Sequence, residues 1–317
     1  MNLVNKDRTH HLYNEKESPI NKINISQISQ SPVKFDGVFR IHSCRSMIAR
    51  TGKNYLRFIM EDSNGFMTAY KWNPTSSTPS AIADKSHLQI RGKSRYYNGS
   101  YISDIISIKS VSPTPEQQVA TLPYSKCSRP ESLSKFSDII LNLEHRGLRD
   151  LLSNVFSQEQ IVLPFIQVPA SLKYHHNYQG GLLEHSLECA SIIQDLSIFS
   201  QTDRELGISS ALLHDLGKIK TIGINFSRPE IGKSIDHDAI TLEICASALA
   251  KFDSNYPKLG IDLRHILTCR STRRWGYEPK IPIAHAVQLA DRLSSDRNLK
   301  RASHKPLSAP HHLSASL

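Results

Sequence analysis

Apolar residues recur along this chain with two different periods, and the change of period divides it. Over residues 33–113 they fall in short β-rich runs at 35–41, 55–60, 66–72, 87–93 and 100–108. Turn signals separate the runs at Thr51-Gly52-Lys53-Asn54, Ser63-Asn64-Gly65 and Asn98-Gly99. The last pair tolerates positive φ at both positions and so marks a two-residue hairpin. Five strands at this spacing predict a small closed barrel, an OB-fold. Phe35, Phe58 and Phe66 are expected inside it.

Beyond Pro113 and Pro115 the alternation stops, and Pro123 and Pro130 punctuate a polar linker over 114–130. From residue 131 to about 300 the apolar period becomes helical. The runs lie at 136–143, 148–156, 182–196, 207–216, 239–252, 263–267 and 283–293. They predict an all-α bundle of several helices. Residues 1–32 are polar and aperiodic and read as a flexible arm, and 301–317 as a loose tail.

Four polar side chains interrupt the helical pattern where burial would be costly. His185 follows Gly-Gly-Leu-Leu-Glu, the pair His214-Asp215 sits in Ala-Leu-Leu-His-Asp-Leu-Gly-Lys, and Asp291 lies in Gln-Leu-Ala-Asp-Arg-Leu. A divalent metal shared by the four removes that cost. Neighbours on a helix point about 100° apart, so His214 and Asp215 reach one ion only from a helix end or a crowded interior. Asp215 then can bridge two ions, and one or two are expected. Imidazole and carboxylate donors suit Mn²⁺ first, with Mg²⁺, Co²⁺, Fe²⁺ or Ni²⁺ as alternatives. Lys218, one turn after His214, is placed to meet a phosphate oxygen. The bland readings are a hydrogen-bonded core histidine at His185 and a glycine-capped helix end at Gly217.

The pattern His185…His214-Asp215…Asp291 resembles the HD superfamily of metal-dependent phosphohydrolases. The segment from Pro169 to Ser186, with the barrel before it, is similar to the YhaM-type 3′–5′ exoribonucleases. It also resembles the HD-type TraI domain of MobH-class conjugative relaxases. What the resemblance implies is a metal-dependent phosphodiesterase, a 3′–5′ exonuclease acting on single-stranded RNA or DNA guided by the barrel. It implies His185, His214, Asp215 and Asp291 as metal ligands, Asp215 and Lys218 as catalytic groups, and His237 and His265 as further imidazoles. His237 equally reads as a surface residue before a helix. Such exonucleases carry a His pair after the position of His265, where this chain has Cys269-Arg270. Arg270, Arg273 and Arg274 stand there as phosphate contacts or as a solvated loop. His175 and His176 precede the Gly-Gly turn and are placed either at the same cavity or in a polar loop over the bundle. Two other readings stand: an accessory or relaxase-like protein of conjugative DNA transfer with a weak HD domain, and an HD hydrolase of nucleotides.

Charge sharpens the choice of partner. The chain carries a formal +10, and residues 1–113 hold 16 Lys/Arg against 8 Asp/Glu. A basic barrel favours a polyanion, single-stranded nucleic acid above all. Tyr55, Trp72, Tyr96 and Tyr97 are the stacking candidates, with Lys71, Arg91, Lys93 and Arg95 for phosphates, against the alternative of aromatics in the barrel core. The five cysteines are scattered, which argues against a disulfide framework and for a reducing, cytoplasmic setting. No apolar run approaches the ~20 residues that span a bilayer, and the N-terminus lacks the core of a signal peptide. The oligomeric state is left open, a homo-oligomer included.

Overall fold

A computed structural model describes residues 23–75, 82, 87–270 and 277–303 of the chain. Five antiparallel-dominated strands form the first unit: β1 (Lys34–Ile48), β2 (Asn54–Asp62), β3 (Gly65–Trp72), β4 (His87–Tyr97) and β5 (Ser100–Ser110). They close in the order β1-β2-β3-β5-β4, with β3 and β5 parallel and the remaining pairs antiparallel. That is the OB-fold expected from the spacing. Asn98 and Gly99 both take positive φ between β4 and β5, the backbone a tight hairpin needs. Inward alternation on β4 buries Leu88 and Ile90 and sends Arg91, Lys93 and Arg95 outward.

Two sequence expectations are corrected in the barrel. Phe35 and Phe58 are core, but Phe66 is exposed, its ring facing Tyr124 at 6.2 Å. Gly65 takes the first place in β3 and shifts Phe66 to the outer face; Met67 goes inside instead. The polar arm also ends earlier than expected. Helix α1 (Ile25–Ile28) is closed by an Asn24–Gln27 capping box and buries Ile25 and Ile28 against the barrel core. Residues 1–22 of the arm lie outside the described residues.

The second unit is helical: α2 (Pro115–Ala120), a short 3-10 turn at Tyr124–Lys126, α3 (Pro130–Leu141), α4 (Arg146–Phe156) and α5 (Glu159–Phe165). There follow α6 (Gly181–Gln194), α7 (Gln201–Leu213), α8 (Lys218–Thr221), α9 (Glu230–Ser234), α10 (His237–Asp253), α11 (Pro257–Thr268) and α12 (Pro282–Ser303). The segment read as a linker belongs to the bundle, because Val119 and Leu122 are buried in the same apolar core as α3 to α12. Helix α12 runs three residues past the expected end at 300, and the tail from residue 304 lies outside the described residues. Phe136, Phe156 and Phe165 pack ring on ring at 4.8–5.2 Å in the centre.

The joint between the units is polar and buried. Arg40, 6% exposed, ion-pairs with Glu159 and donates from Nε to the Thr121 carbonyl at 3.2 Å. Glu61 accepts from the Ser125 N–H at 3.1 Å, and the Ser63 N–H donates to Ala120 at 3.1 Å. These bonds fix the β2–β3 turn against the start of the bundle, where desolvated polar groups need partners.

Asp62 accepts the Ile25 N–H at 2.7 Å and the Asn64 N–H at 2.7 Å. Burial, opposed by these bonds, pushes its carboxyl from 3.8 up to about 6. A carboxyl that holds its proton longer when folded loses stability as pH rises, fully stabilised below about 4 and declining through about 6. The expected decline is about 3 kcal/mol at most. Urea unfolding of wild type and Asp62→Asn from pH 4 to 7.5 checks it, with a flatter pH profile expected for the variant. Parallel profiles would remove Asp62 from the account.

Candidate metal centre

Helix α7 ends at Leu213, and His214 and Asp215 follow at its C-terminus rather than within it. This end position lets two sequence neighbours face one point. His214 donates from Nδ1 to the Ala211 carbonyl at 2.9 Å, which leaves Nε2 as a bare lone pair. His185, on α6 and fully buried, has its Nδ1 3.1 Å from the Ser294 hydroxyl. Ser294 gives its only proton to Glu188 at 2.9 Å, so it accepts from His185 Nδ1–H. The Nε2 of His185 is therefore bare as well, and it lies 3.2 Å from that of His214.

Two lone pairs at that distance repel unless positive charge stands between them. The carboxylates add to the demand. Asp215 Oδ2 lies 3.4 Å from His185 Nε2 and 3.5 Å from His214 Nε2. Asp291 Oδ1, from α12, lies 3.3 Å and 3.9 Å from the same two atoms. An ion with bonds of ~2.1 Å holds its ligands at about this mutual spacing. The donor set fits a divalent cation of the Mn²⁺, Fe²⁺ or Zn²⁺ size.

Without an ion, a proton answers the same demand. Burial opposes charge on His185, but the Cys189 sulfur and the bonds to Asp215 and Asp291 carry its pKa well above the ordinary imidazole range. Burial raises Asp215, yet Lys218 and His214 hold it well below the usual carboxylate range. Asp291, likewise buried, is held at about 2 by His185 and His214. Burial pushes His214 down.

Two glycines allow the close approaches that build the centre. A Cβ on Gly217 would sit 2.0 Å from the His237 carbonyl oxygen, so only glycine lets the first turn of α10 pass there. Gly217 has φ −58° and is not the left-handed cap its sequence context suggested. With this approach His237 Nε2 reaches Asp215 Oδ1 at 3.1 Å, on the side of the carboxylate away from His185. A Cβ on Gly181 would lie 2.1 Å from the His176 carbonyl, which seats the His175-His176 loop against α6.

Residues 182–296 match the family model of the HD domain. The chain is similar to the 3′–5′ exoribonuclease YhaM of Oceanobacillus iheyensis, 23% identical over 272 residues that are 84% of this chain and 85% of that protein. It is similar to the YhaM of Bacillus subtilis, 23% identical over 83% of this chain and 85% of the relative. The YhaM of Shouchella clausii is 24% identical over 83% and 84%. Residues 182–296 thus carry an HD domain, and over most of its length the chain is similar to the YhaM proteins.

Several residues of this chain fall elsewhere than the motif alone suggested. His265 is not brought to the centre: its Nε2 accepts the Lys280 backbone N–H at 2.9 Å. His176 is buried behind His185, with Nε2 3.2 Å from Ser294 Oγ and Nδ1 2.8 Å from the Tyr178 hydroxyl. The His175 ring lies tilted beside that of His185, centroids 5.0 Å apart, and its buried Nε2 has no hydrogen-bond partner among the described residues. Burial lowers its pKa to about 4. Lys218 Nζ rests on Asp215 Oδ2 and also lines a cleft of about 480 Å³ beside the centre. Arg270 pairs with Asp238, and one of its nitrogens lies 3.5 Å from His237 Nε2. Arg273 and Arg274 lie outside the described residues.

The motif reading missed Cys189, Glu188 and Ser294. Cys189 Sγ joins His185, His214 and Asp291 in one group of donor atoms within 4.8 Å. Its signal was the four-residue spacing after His185, and Ser294 stands three after Asp291, each on the ligand's own helix face.

On the barrel, Tyr55 and Trp72 pair at 4.9 Å with Tyr70 beside them. Asp104 ties this cluster to β4, accepting from Trp72 Nε1 at 3.2 Å and from Arg95. Arg95 in turn lies over the Tyr97 ring at 5.0 Å. Tyr96 is exposed and meets Tyr101 edge-on at 5.3 Å, and Lys93 is exposed on the same strand. Lys71 donates to the Ile106 carbonyl at 2.8 Å, and Arg91 pairs with Asp36. The structure thus joins Tyr55, Trp72, Arg95 and Tyr97 through Asp104 and leaves Arg91 in a separate pair.

Ser294→Ala removes the hydroxyl that sets the His185 tautomer, and Mn²⁺ affinity is expected to fall ~10–100-fold. His265→Ala is expected to leave it unchanged. Calorimetric titration of both variants with Mn²⁺ checks the pair, and an equal loss in both would contradict the assignment.

Proposed function

We propose that this protein is a metal-dependent 3′–5′ exonuclease that hydrolyses single-stranded RNA or DNA fed from the barrel. The observation that carries it is the convergence of His185, His214, Asp215 and Asp291 on one buried point at the edge of a cleft containing Lys218. The HD-domain match supports a metal-dependent phosphodiesterase, and the relatives named 3′–5′ exoribonuclease support the reading of polarity and polymer.

His185, His214, Asp215 and Asp291 hold the divalent ion, Mn²⁺ by preference. Such an ion supplies a Lewis acid for the phosphodiester and acidifies water towards hydroxide. Lys218 neutralises charge on the phosphate, and its rest position on Asp215 keeps it within reach. Asp215 presents one oxygen to the two imidazoles and the other to His237. Beside His237 the Arg270 guanidinium brings a fixed positive charge, which favours one ion with an arginine clamp over a second ion. Ser294, Glu188 and His176 hold His185 in its metal-binding tautomer.

The aromatic and basic face of the barrel supports strand binding by stacking on Tyr55, Trp72, Tyr96 and Tyr97, with Lys93 and Arg95 for phosphates. The joint made by the buried Arg40 with Glu159 and the Thr121 carbonyl gives that face a fixed bearing on the bundle, which suits guidance of a strand toward the centre.

The deciding measurement uses 5′-labelled single-stranded RNA and DNA with Mn²⁺, Mg²⁺ or EDTA on a denaturing gel. A ladder shortening from the 3′ end with metal, absent in EDTA and in Asp215→Ala, is expected. Asp215→Ala should retain strand binding on a native gel. Bound but intact strands under every metal would turn the reading to a nucleic-acid-binding protein of DNA transfer on an HD scaffold.

A further inference from the structure

Two basic side chains face the metal centre, and they are held differently. The Arg270 guanidinium bonds to both oxygens of the buried Asp238, from Nε at 3.1 Å and from Nη2. A planar fork on two acceptors is pinned in place. Lys218 has a single acceptor among the described residues, Asp215 Oδ2. Its ammonium ends a flexible four-carbon stem, rooted at the first residue of α8, and it borders the open cleft of about 480 Å³. The side chain is only 14% exposed there, so one carboxylate oxygen stands in for much of its water.

The oxygen that holds it is also a donor of the centre. Asp215 Oδ2 lies 3.4 Å from His185 Nε2 and 3.5 Å from His214 Nε2, at the point where the donors converge. The other oxygen, Oδ1, is turned to His237. An ammonium on Oδ2 therefore supplies part of the positive charge that these desolvated lone pairs require. A divalent ion bonded to the same oxygen takes over that role and repels the ammonium, in surroundings that screen little. Arg270 cannot yield, because two bonds hold it. Lys218 can.

From this shared oxygen we infer that Lys218 is a stand-in for the ion, seated on Asp215 while no ion is bound and released into the cleft when one binds. Release arms the site, because the ammonium that neutralises a phosphate becomes available only once the ion is in place. Ion and phosphate then bind cooperatively, and by reciprocity each raises the affinity for the other. Lys218 thus grips a strand end only in a centre able to act on it. The inference rests on the metal-centre part of the exonuclease reading and adds to it an order of assembly, ion before phosphate.

The test follows the lysine itself. The full chain is treated briefly with N-hydroxysuccinimidyl acetate, an amine-acylating reagent, in EDTA or in Mn²⁺, and acetylation of each lysine is read by peptide mass spectrometry. Lys218 is expected to react at least ~5-fold more with Mn²⁺ than in EDTA. The exposed Lys173 and Lys220 should react equally in both. Equal or lower reaction of Lys218 with Mn²⁺ would overturn the release. Calorimetry supplies the second arm: Lys218→Met is expected to bind Mn²⁺ ~5-fold or more tighter than wild type, since nothing then contests Asp215 Oδ2. Unchanged or weaker binding would mean that Lys218 supports the ion instead of yielding to it. Tighter binding with no change in labelling would mean a fixed charge, and either result removes the stand-in. Strands shortened with Mn²⁺ by a chain whose Lys218 stays protected would remove the coupling and leave the exonuclease. Lys218 released by Mn²⁺ in a chain that never shortens a strand would do the reverse.

Discussion

Two imidazole nitrogens with bare lone pairs face each other 3.2 Å apart in the bundle, flanked by two carboxylates, and much of the surrounding structure exists to hold them there. Left alone, that arrangement concentrates negative potential in a desolvated place, where uncompensated charge is most expensive. A proton on His185 or a divalent ion relieves it, and the depressed carboxylates Asp215 and Asp291 show the same demand from the other side. Stability and chemistry are therefore coupled at one point. The groups that make the centre a ligand set are those that would destabilise the bundle if nothing cationic joined them.

Holding such a set requires support one layer back. Ser294 fixes the His185 tautomer, the Ala211 carbonyl fixes that of His214, and Gly217 lets α10 bring His237 onto Asp215. Each of these partners is itself tied down: Ser294 by Glu188 and His176, and Gly217 by its N–H bond to Thr241 Oγ1 at 2.8 Å. The candidate donors come from α6, the end of α7 and α12, so their relative placement depends on how those helices pack. Leu183, Leu187, Ile193, Ala211, Leu212, Val287 and Ala290 supply the buried apolar contact between them. The barrel is joined to this framework by Arg40, a cation with almost no access to solvent. Loss of the Glu159 or Thr121 acceptor there would leave the buried guanidinium short of partners, so the joint resists opening. Among the described residues no helix is long and apolar enough to cross a membrane.

Much of this was legible in the chain itself. Alternation and turn residues give the five strands, because a half-buried sheet writes its period of two into the sequence. The helical period likewise marks the bundle, and polar residues inside apolar stretches mark His185, His214, Asp215 and Asp291, since only a strong compensating interaction tolerates them there. The boundaries were less legible. Val119 and Leu122 look like isolated apolar residues in a polar linker until the bundle is present to cover them, and the capping box at Asn24 is too short to signal a helix against a polar background.

What the sequence by itself determined is the five strands, the longer helices and the residue types that need a cation, because period and local burial cost are properties of short segments. The tertiary structure decided which of the remaining histidines serve. His237 reaches Asp215 because Gly217 admits α10, while His265, an equally plausible imidazole, spends its Nε2 on the Lys280 amide. It also decided that Cys189, Glu188 and Ser294 belong to the centre, and that Lys173, Tyr174, Arg228 and Asp236 share a cleft. These are contacts between residues tens of positions apart. Their distances are set by the packing of helices and loops, and no local pattern records them.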